Sequence, residues 1–243
     1  MAFFDLFHKH PADLSVLKTD MHSHFIPGID DGAKTIEDSV MMLREMRALG
    51  YRKVITTPHV MSDQYRNTPE IIMGGRDGLR RAVKEAGIDI EVDAAAEYYF
   101  DYPFEKSIPG EKKLTFGKNY LLWEISFMNK PETVNEGIFA MITREYKPVL
   151  AHVERYPFWH GNYAAYEDLI GRGTLLQMNI NSISGQYGVP VKKAAEWLID
   201  HNMISFLGTD CHHMGHLEVL KKTLMEKYVH KLLNSGKLLN ATL

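Results

Sequence analysis

The chain has 243 residues, 45% of them hydrophobic and 24% charged, the balance of a globular domain large enough to bury a core without disulfides. Its 28 basic and 31 acidic residues leave a net charge of −3, which excludes the electrostatic footprint of non-specific nucleic-acid binding. No apolar run reaches the roughly 20 residues of a membrane span, Cys211 is the single cysteine, and the N-terminus lacks the basic lead and apolar stretch of a signal peptide, so a cytoplasmic protein without stable membrane insertion is expected.

Residues 1–18 read as an N-terminal extension in which Phe3, Phe4, Leu6 and Phe7 share one face if the segment is helical. Four such side chains need cover, from the domain itself, from a second subunit in an oligomer or from a loose membrane dock. Residues 19–243 contain no repeat, low-complexity tract or polar linker and read as one domain. Strand-like segments occur at Val16–Met21, Lys53–Thr57, Ile90–Ala95, Tyr120–Ile125, Pro148–Ala151, Leu175–Ile180 and Ile204–Gly208. Thr35-Ile36-Glu37-Asp38 forms a capping box for a helix that Gly50 ends, with Ile36, Val40, Leu43, Met46 and Leu49 at helical spacing. Thr68-Pro69-Glu70 opens a second helix that Gly87 closes, and Pro190 opens another carrying Val191, Ala194, Ala195, Leu198 and Ile199. The segment after His216 reads as one long terminal helix. Seven strands alternating with helices imply parallel pairing, in a barrel or a doubly wound sheet.

The chemistry-bearing residues decide between those two. In Asp20-Met21-His22-Ser23-His24 the imidazoles are two apart on extended chain, so His22 and His24 project together and can share a cation. The turn Asp30-Asp31-Gly32 follows and offers a carboxylate from either aspartate. His59 ends an apolar run just after Pro58, which stops the ladder. Glu97 follows three alanines that permit close approach, and a glutamate there can bridge two cations. Glu124 sits inside the apolar run 121–127, where an ionised carboxylate is costly unless paired or metal-bound. His152 ends a further strand with Arg155 three residues on, a guanidinium suited to phosphate unless Glu154 or a surface carboxylate pairs with it. Asp210 and His212 repeat the two-apart geometry, which turns Cys211 away as buried structure. His22, His59, Glu97, Glu124, His152 and Asp210 each fall at the C-terminal end of a different strand, and only a closed barrel brings six such ends together. Five imidazoles and four carboxylates need cations to neutralise them at one rim. An α/β fold of the distorted seven-stranded (β/α)7 TIM-like barrel type is therefore expected.

This ordered set resembles the polymerase-and-histidinol-phosphatase (PHP) superfamily, through H-x-H at His22 and His24, T-P-H at His59, A-E-Y-Y at Glu97, A-H-V-E-R-Y at His152 and T-D-x-H at Asp210 and His212. More narrowly, H-S-H-x(5)-D-D-G-x-K-T and W-E-I-S look like the manganese-dependent protein-tyrosine phosphatases of bacterial capsule and exopolysaccharide synthesis. The resemblance implies two or three divalent cations, manganese first, with iron or zinc also fitting such donors. It places His22, His24, Glu97 and Asp210 on one, Glu97, Glu124 and His152 on a second, and Asp31, His59 and His212 on a third. It also implies a substrate, the phosphotyrosine tail of a polysaccharide tyrosine kinase. One departure is the loss of an arginine that some members carry after D-x-H, where His213 or His216 stands here.

Glu97 and Arg155 are then the candidate catalytic residues, and Tyr98 and Tyr99 candidates to flank the substrate ring. A cysteine-based phosphatase is excluded, because Leu217 stands where its phosphate-binding arginine would follow Cys211. The alternatives are a small-molecule phosphomonoesterase of the histidinol-phosphatase type and a catalytically silent metal-binding module. A nuclease is disfavoured by the acidic balance.

Overall fold

A computed structural model describes residues 10–243, so the apolar face of Phe3, Phe4, Leu6 and Phe7 lies outside the described residues. The first described element departs from the sequence reading. Asp13 accepts the Ser15 amide at 2.8 Å and starts a 3-10 turn, Leu14–Leu17, where a strand from Val16 was expected. Lys18 then takes a positive φ of 60°, and only Thr19–Asp20 remain as strand β1. Leu14 and Leu17 are buried while Val16 is half exposed, so this turn serves the core by helical and not by strand spacing.

The other strands are β2 (Lys53–Thr56), β3 (His59–Val60), β4 (Glu91–Ala94), β5 (Glu97–Tyr99), β6 (Tyr120–Glu124), β7 (Lys147–Leu150), β8 (Leu175–Asn179) and β9 (Phe206–Gly208). Helices α1 (Ile36–Ala48), α2 (Pro69–Glu85), α3 (Tyr102–Ser107), α4 (Val134–Thr143), α5 (Ala164–Gly171), α6 (Val189–Asp200), α7 (Met214–Thr223) and α8 (Lys227–Leu233) lie among them. Thr35 and Asp38 close the capping box of α1, and Thr68 caps α2 with Pro69 in its first turn. The long terminal helix is corrected to two short ones. The chain turns extended at Glu226, and the carbonyl of buried Leu224 accepts the Ala12 amide at 2.9 Å instead of continuing a helix. Among the described residues no helix is long and apolar enough to cross a membrane.

Every strand pairing is parallel, within a three-stranded sheet β1-β2-β4 and a six-stranded sheet β3-β5-β6-β7-β8-β9. Where seven strands were expected, the described residues hold nine in two sheets. The reason is local: Pro58 has no N–H to give the ladder, so the run from Lys53 breaks into β2 and β3. Its neighbour breaks in step at Ala95-Ala96, giving β4 and β5. A parallel bridge from Ser23 to Cys211 joins the chain beyond β1 to the chain beyond β9, so the curled sheet returns toward its own start.

Alternation along the strands separates two cores. Leu121, Trp123, Val54 and Leu150 pack outward among the helices. Leu122, Ile55, Ala95, Val149, Ala151 and Phe206 form a smaller inner cluster with Phe116 and Tyr120. Asn240 stitches the seam opposite the Ser23–Cys211 bridge: its side chain donates to the carbonyls of Thr19 (3.0 Å) and Leu207 (2.7 Å) and accepts the Leu207 amide at 3.0 Å.

Two helical glycines predict opposite responses to one methyl group. A Cβ on Gly137 of α4 would lie 2.2 Å from the buried Phe100 ring, whereas none within 4 Å meets one on Gly74 of α2. Gly137→Ala is expected to lower stability by about 1–3 kcal/mol through overpacking. Gly74→Ala is expected to raise it by about 0.5–1 kcal/mol through helix propensity. Urea unfolding of both variants checks the pair; a gain in stability from Gly137→Ala would contradict the packing.

Candidate metal centre

Strand register brings the first ligand candidates together. His59 pairs with Glu97, and Glu124 lies across from Tyr99 on the next strand. Glu124 is two residues beyond inner-core Leu122, and Glu97 two beyond inner-core Ala95, so one inward-facing row runs from apolar floor to ionisable rim. The two histidine-rich segments are zipped by backbone: the Asp210 amide donates to the His22 carbonyl at 2.8 Å and the His24 amide to the Cys211 carbonyl at 2.9 Å. His152 and Asp210 occupy positive φ, 34° and 49°. Such a conformation costs a non-glycine residue roughly 1–3 kcal/mol and is kept only where the surroundings enforce it.

Glu97 is the hub. Its Oε2 lies 3.0 Å from His59 Nδ1, 3.2 Å from His22 Nε2 and 3.5 Å from His24 Nε2, while Oε1 lies 3.1 Å from His152 Nε2. Glu124 approaches His59 Nδ1 at 3.0 Å and His152 Nε2 at 3.6 Å. Asp210 Oδ1 stands 3.4–3.5 Å from His22, His24 and His212. Asp31, more exposed, reaches His212 at 3.4 Å and His59 at 3.5 Å. All nine predicted ligands therefore meet at one rim. Eight of them fall into three overlapping groups, each compact enough to share an ion: His22 with His24 and Asp210, His59 with Glu97 and Glu124, and His24 with Asp31, His59 and His212; His152 joins through Glu97 and Glu124. Cys211 is in none of them; it is buried, its sulfur 3.9 Å from that of Met42.

Electrostatics shows how strained this crowd is by itself. Burial works against charge on His22, yet Glu97 and Asp210 raise its pKa to about 10. His59 is likewise disfavoured by burial and raised to about 12 by Glu97 and Glu124, and His212 to about 9, chiefly by Asp210. Burial alone would push Glu97 and Asp210 up, but the imidazoles, His22 first, hold both well below the usual carboxylate range. The His212 hydrogen bond lowers Asp31 to about 2.

The donor set fits divalent cations better than it fits itself. His22 and His24 face each other Nε2 to Nε2 at 3.4 Å. His59 Nδ1 and Glu97 Oε2 are buried and have no hydrogen-bond partner among the described residues, although they lie only 3.0 Å apart. Lone pairs converging without hydrogen-bond geometry are what oxygen and nitrogen ligands of a shared ion present.

A second layer orients these groups, and most of it escaped the sequence reading. Asp30 accepts from His24 Nδ1 at 2.8 Å and from the His59 amide at 3.2 Å, so it supports ligands where Asp31 approaches them directly. Gln177 Oε1 lies 3.0 Å from His22 Nδ1 and accepts the His152 amide at 2.8 Å. Asn179 donates to Asp210 Oδ2 at 2.6 Å. The signal for both was present: Gln177 and Asn179 interrupt the apolar β8 two residues apart, as the ligands do.

Beside the rim opens a cavity of about 360 Å³, lined by Asp31, Glu124, His152, Asp210 and Arg155 and also by His213 and His216. Arg155 Nη1 pairs with Asp210 Oδ2 at 3.3 Å. Glu154, the partner weighed from sequence, is buried the other way, accepting from the Asn179 amide (3.0 Å) and Ser182 (2.5 Å). The reading of Tyr98 and Tyr99 as ring-flanking residues is corrected. Tyr98 is buried, accepts the Leu114 amide at 2.8 Å and stacks on Phe104, and neither tyrosine lines the cavity; Phe127 and Tyr187, from loops, do.

With this geometry, comparison with known proteins becomes informative. Residues 18–239 match the family Capsular polysaccharide synthesis, CpsB/CapC. The tyrosine-protein phosphatase YwqE of Bacillus subtilis is 28% identical over 196 residues, 80% of this chain and 77% of that protein. The tyrosine-protein phosphatase CpsB of Streptococcus pneumoniae is 26% identical over 201 residues, 80% of this chain and 83% of its own. Among solved structures, a chain from the crystal structures of YwqE from Bacillus subtilis and CpsB from Streptococcus pneumoniae, described as unique metal-dependent tyrosine phosphatases, superposes with a TM-score of 0.79 at 25% identity. It covers 92% of this chain and 94% of its own.

Gln177 offers a test of the supporting layer without reference to turnover. Gln177→Leu removes the acceptor of a buried amide and of a buried ring, at a cost of about 1–3 kcal/mol for each group left unpaired. Chelator-treated protein should therefore melt several degrees lower than the parent; an unchanged melting temperature would mean that Gln177 is incidental to the rim.

Proposed function

The chain belongs to the CpsB/CapC family of capsular polysaccharide synthesis, and we propose that it is a metal-dependent phosphoric monoester hydrolase acting on phosphotyrosine. The observation that carries this is the single rim on which five imidazoles and four carboxylates converge beside an open cavity with Arg155 in its wall. His22, His24, Glu97 and Asp210 would hold one divalent cation, Glu97, Glu124 and His152 a second, and Asp31, His59 and His212 a third. Manganese comes first, and iron or zinc suit the same mixed nitrogen and oxygen donors. When bound, such cations supply charge neutralisation for the phosphoryl oxygens and an activated water near neutral pH.

The protein's own residues supply the rest. Arg155 spends one nitrogen on Asp210 and, with five N–H donors in a planar fork, keeps others for a phosphate oxygen. Glu97, with both oxygens among imidazoles, would be shared between two of these cations, whose charge would supply stabilisation to the phosphoryl group. A tyrosyl leaving group has an ordinary pKa of about 10 and needs less protonation than an alkyl alcohol. The finer reading is the phosphotyrosine tail of a polysaccharide-synthesis tyrosine kinase, acted on in the cytoplasm, where a lone buried thiol such as Cys211 is at ease. The fold reading that accompanies it is the distorted (β/α)7 barrel of residues 19–243 behind an extension of residues 1–18. Counted across their kinks, β2 with β3 and β4 with β5 make seven passes, which supports it.

His22→Ala and Asp210→Ala should each abolish phosphotyrosine-peptide turnover while circular dichroism stays that of the parent, since both lie on the rim and not among the helix stripes. Near-normal turnover in either would sink the assignment. Arg155→Lys should cost roughly one to three decades in kcat/KM with metal content unchanged; lost metal would instead make the arginine a support of the ligands.

A further inference from the structure

Arg155 is the longest side chain in the cavity wall, yet among the described residues only one of its nitrogens is tied, to a single Asp210 oxygen at 3.3 Å that Asn179 already occupies at 2.6 Å. What steadies the guanidinium is aromatic. Its Cζ lies 4.7 Å from the centroid of Phe127 and 4.3 Å from that of Tyr187, both within the range of a cation–π contact. The two rings come from unrelated parts of the chain and are themselves anchored. Phe127, in the loop after β6, stacks on Tyr156 at 5.4 Å and lies at the same distance from the His152 ring. Tyr187 stands in a tight turn between Gly185 and Gly188, whose φ of 86° and 97° side chains rarely adopt and whose backbones bond at 2.9 Å. Both rings line the same cavity as the rim carboxylates and imidazoles.

We infer that Phe127 and Tyr187 are positioning residues that hold the Arg155 fork toward the phosphate of the substrate. A guanidinium contacting aromatic rings keeps its edge N–H groups free, because the rings take its face and not its donors. Ring contact therefore restricts the arm without competing for the donors, whereas a second carboxylate would capture them. The inference rests on the reading of Arg155 as the phosphate clamp.

Inorganic phosphate is the probe, titrated by calorimetry against the metal-loaded protein, with phosphotyrosine-peptide kinetics alongside. Tyr187→Leu and Phe127→Leu should each weaken phosphate binding roughly three- to thirtyfold and raise KM in parallel, with metal content unchanged. Tyr187→Phe and Phe127→Tyr, which keep a ring, should recover most of that loss, whereas a role resting on the Tyr187 hydroxyl would leave Tyr187→Phe as impaired as Tyr187→Leu. In an Arg155→Ala background, Tyr187→Leu should add little, because the ring acts through the arginine. A full additional loss in that background, or undiminished phosphate binding in both leucine variants, overturns the inference. Unchanged phosphate binding in Arg155→Ala itself would instead overturn the clamp on which it rests.

Discussion

One carboxylate, that of Glu97, touches four imidazoles in a place where water does not reach it. An ion buried in that way is stable only if its charge is answered at once by its neighbours, and the neighbours must answer to others in turn. Much of the molecule can be understood as the means of holding that crowd. The kink at Pro58 turns His59 onto the register partner of Glu97. The left-handed backbone at His152 and Asp210 spends conformational energy to aim two further groups inward. The inner apolar cluster beneath supplies a largely apolar floor that excludes water.

The same logic explains the supporting polar residues. Buried imidazoles have two nitrogens, and a nitrogen aimed at the centre leaves the other needing a fixed partner. His24 finds Asp30 and His22 finds Gln177, so each ring is held in plane from behind. Asp20, farther out and fully buried, has a carboxyl that burial pushes up to about 7 although Thr209 donates to it twice. That pair ties β1 to the segment carrying Asp210, and so couples the two histidine-rich stretches below their side chains.

What could be seen in the sequence followed from periodicity. Ligands two apart on extended chain, capping boxes at Thr35 and Thr68, and the apolar stripe of α6 are local facts, and the structure keeps them. What could not be seen depends on how segments distant in sequence meet. The breaks at Pro58 and Ala95-Ala96 are a matter of neighbouring strands bending in step, and strand content alone does not reveal it. Residues 14–17 are apolar enough for a strand, but the Asp13 cap tips them into a turn. Phe127 and Tyr187 belong to loops whose course no spacing rule predicts, while Tyr98, prominent beside Glu97, is drawn off by the Leu114 amide.

Asn240 sets a different kind of condition. Its side chain spans Thr19 and Leu207, and the first of these bonds crosses 221 positions of sequence. As the chain emerges in order, β1 is made early and lies beside β2, yet its other edge has no seam until β9 and then Asn240 arrive. Contacts of that span form late because the loop they close is nearly the whole chain. The rim ligands on either side of the seam, His22 and Asp210, come into reach only when that long loop is closed. One amide side chain near residue 240 thus holds in register two strands whose far ends carry the histidines of the first motif and the aspartate of the last.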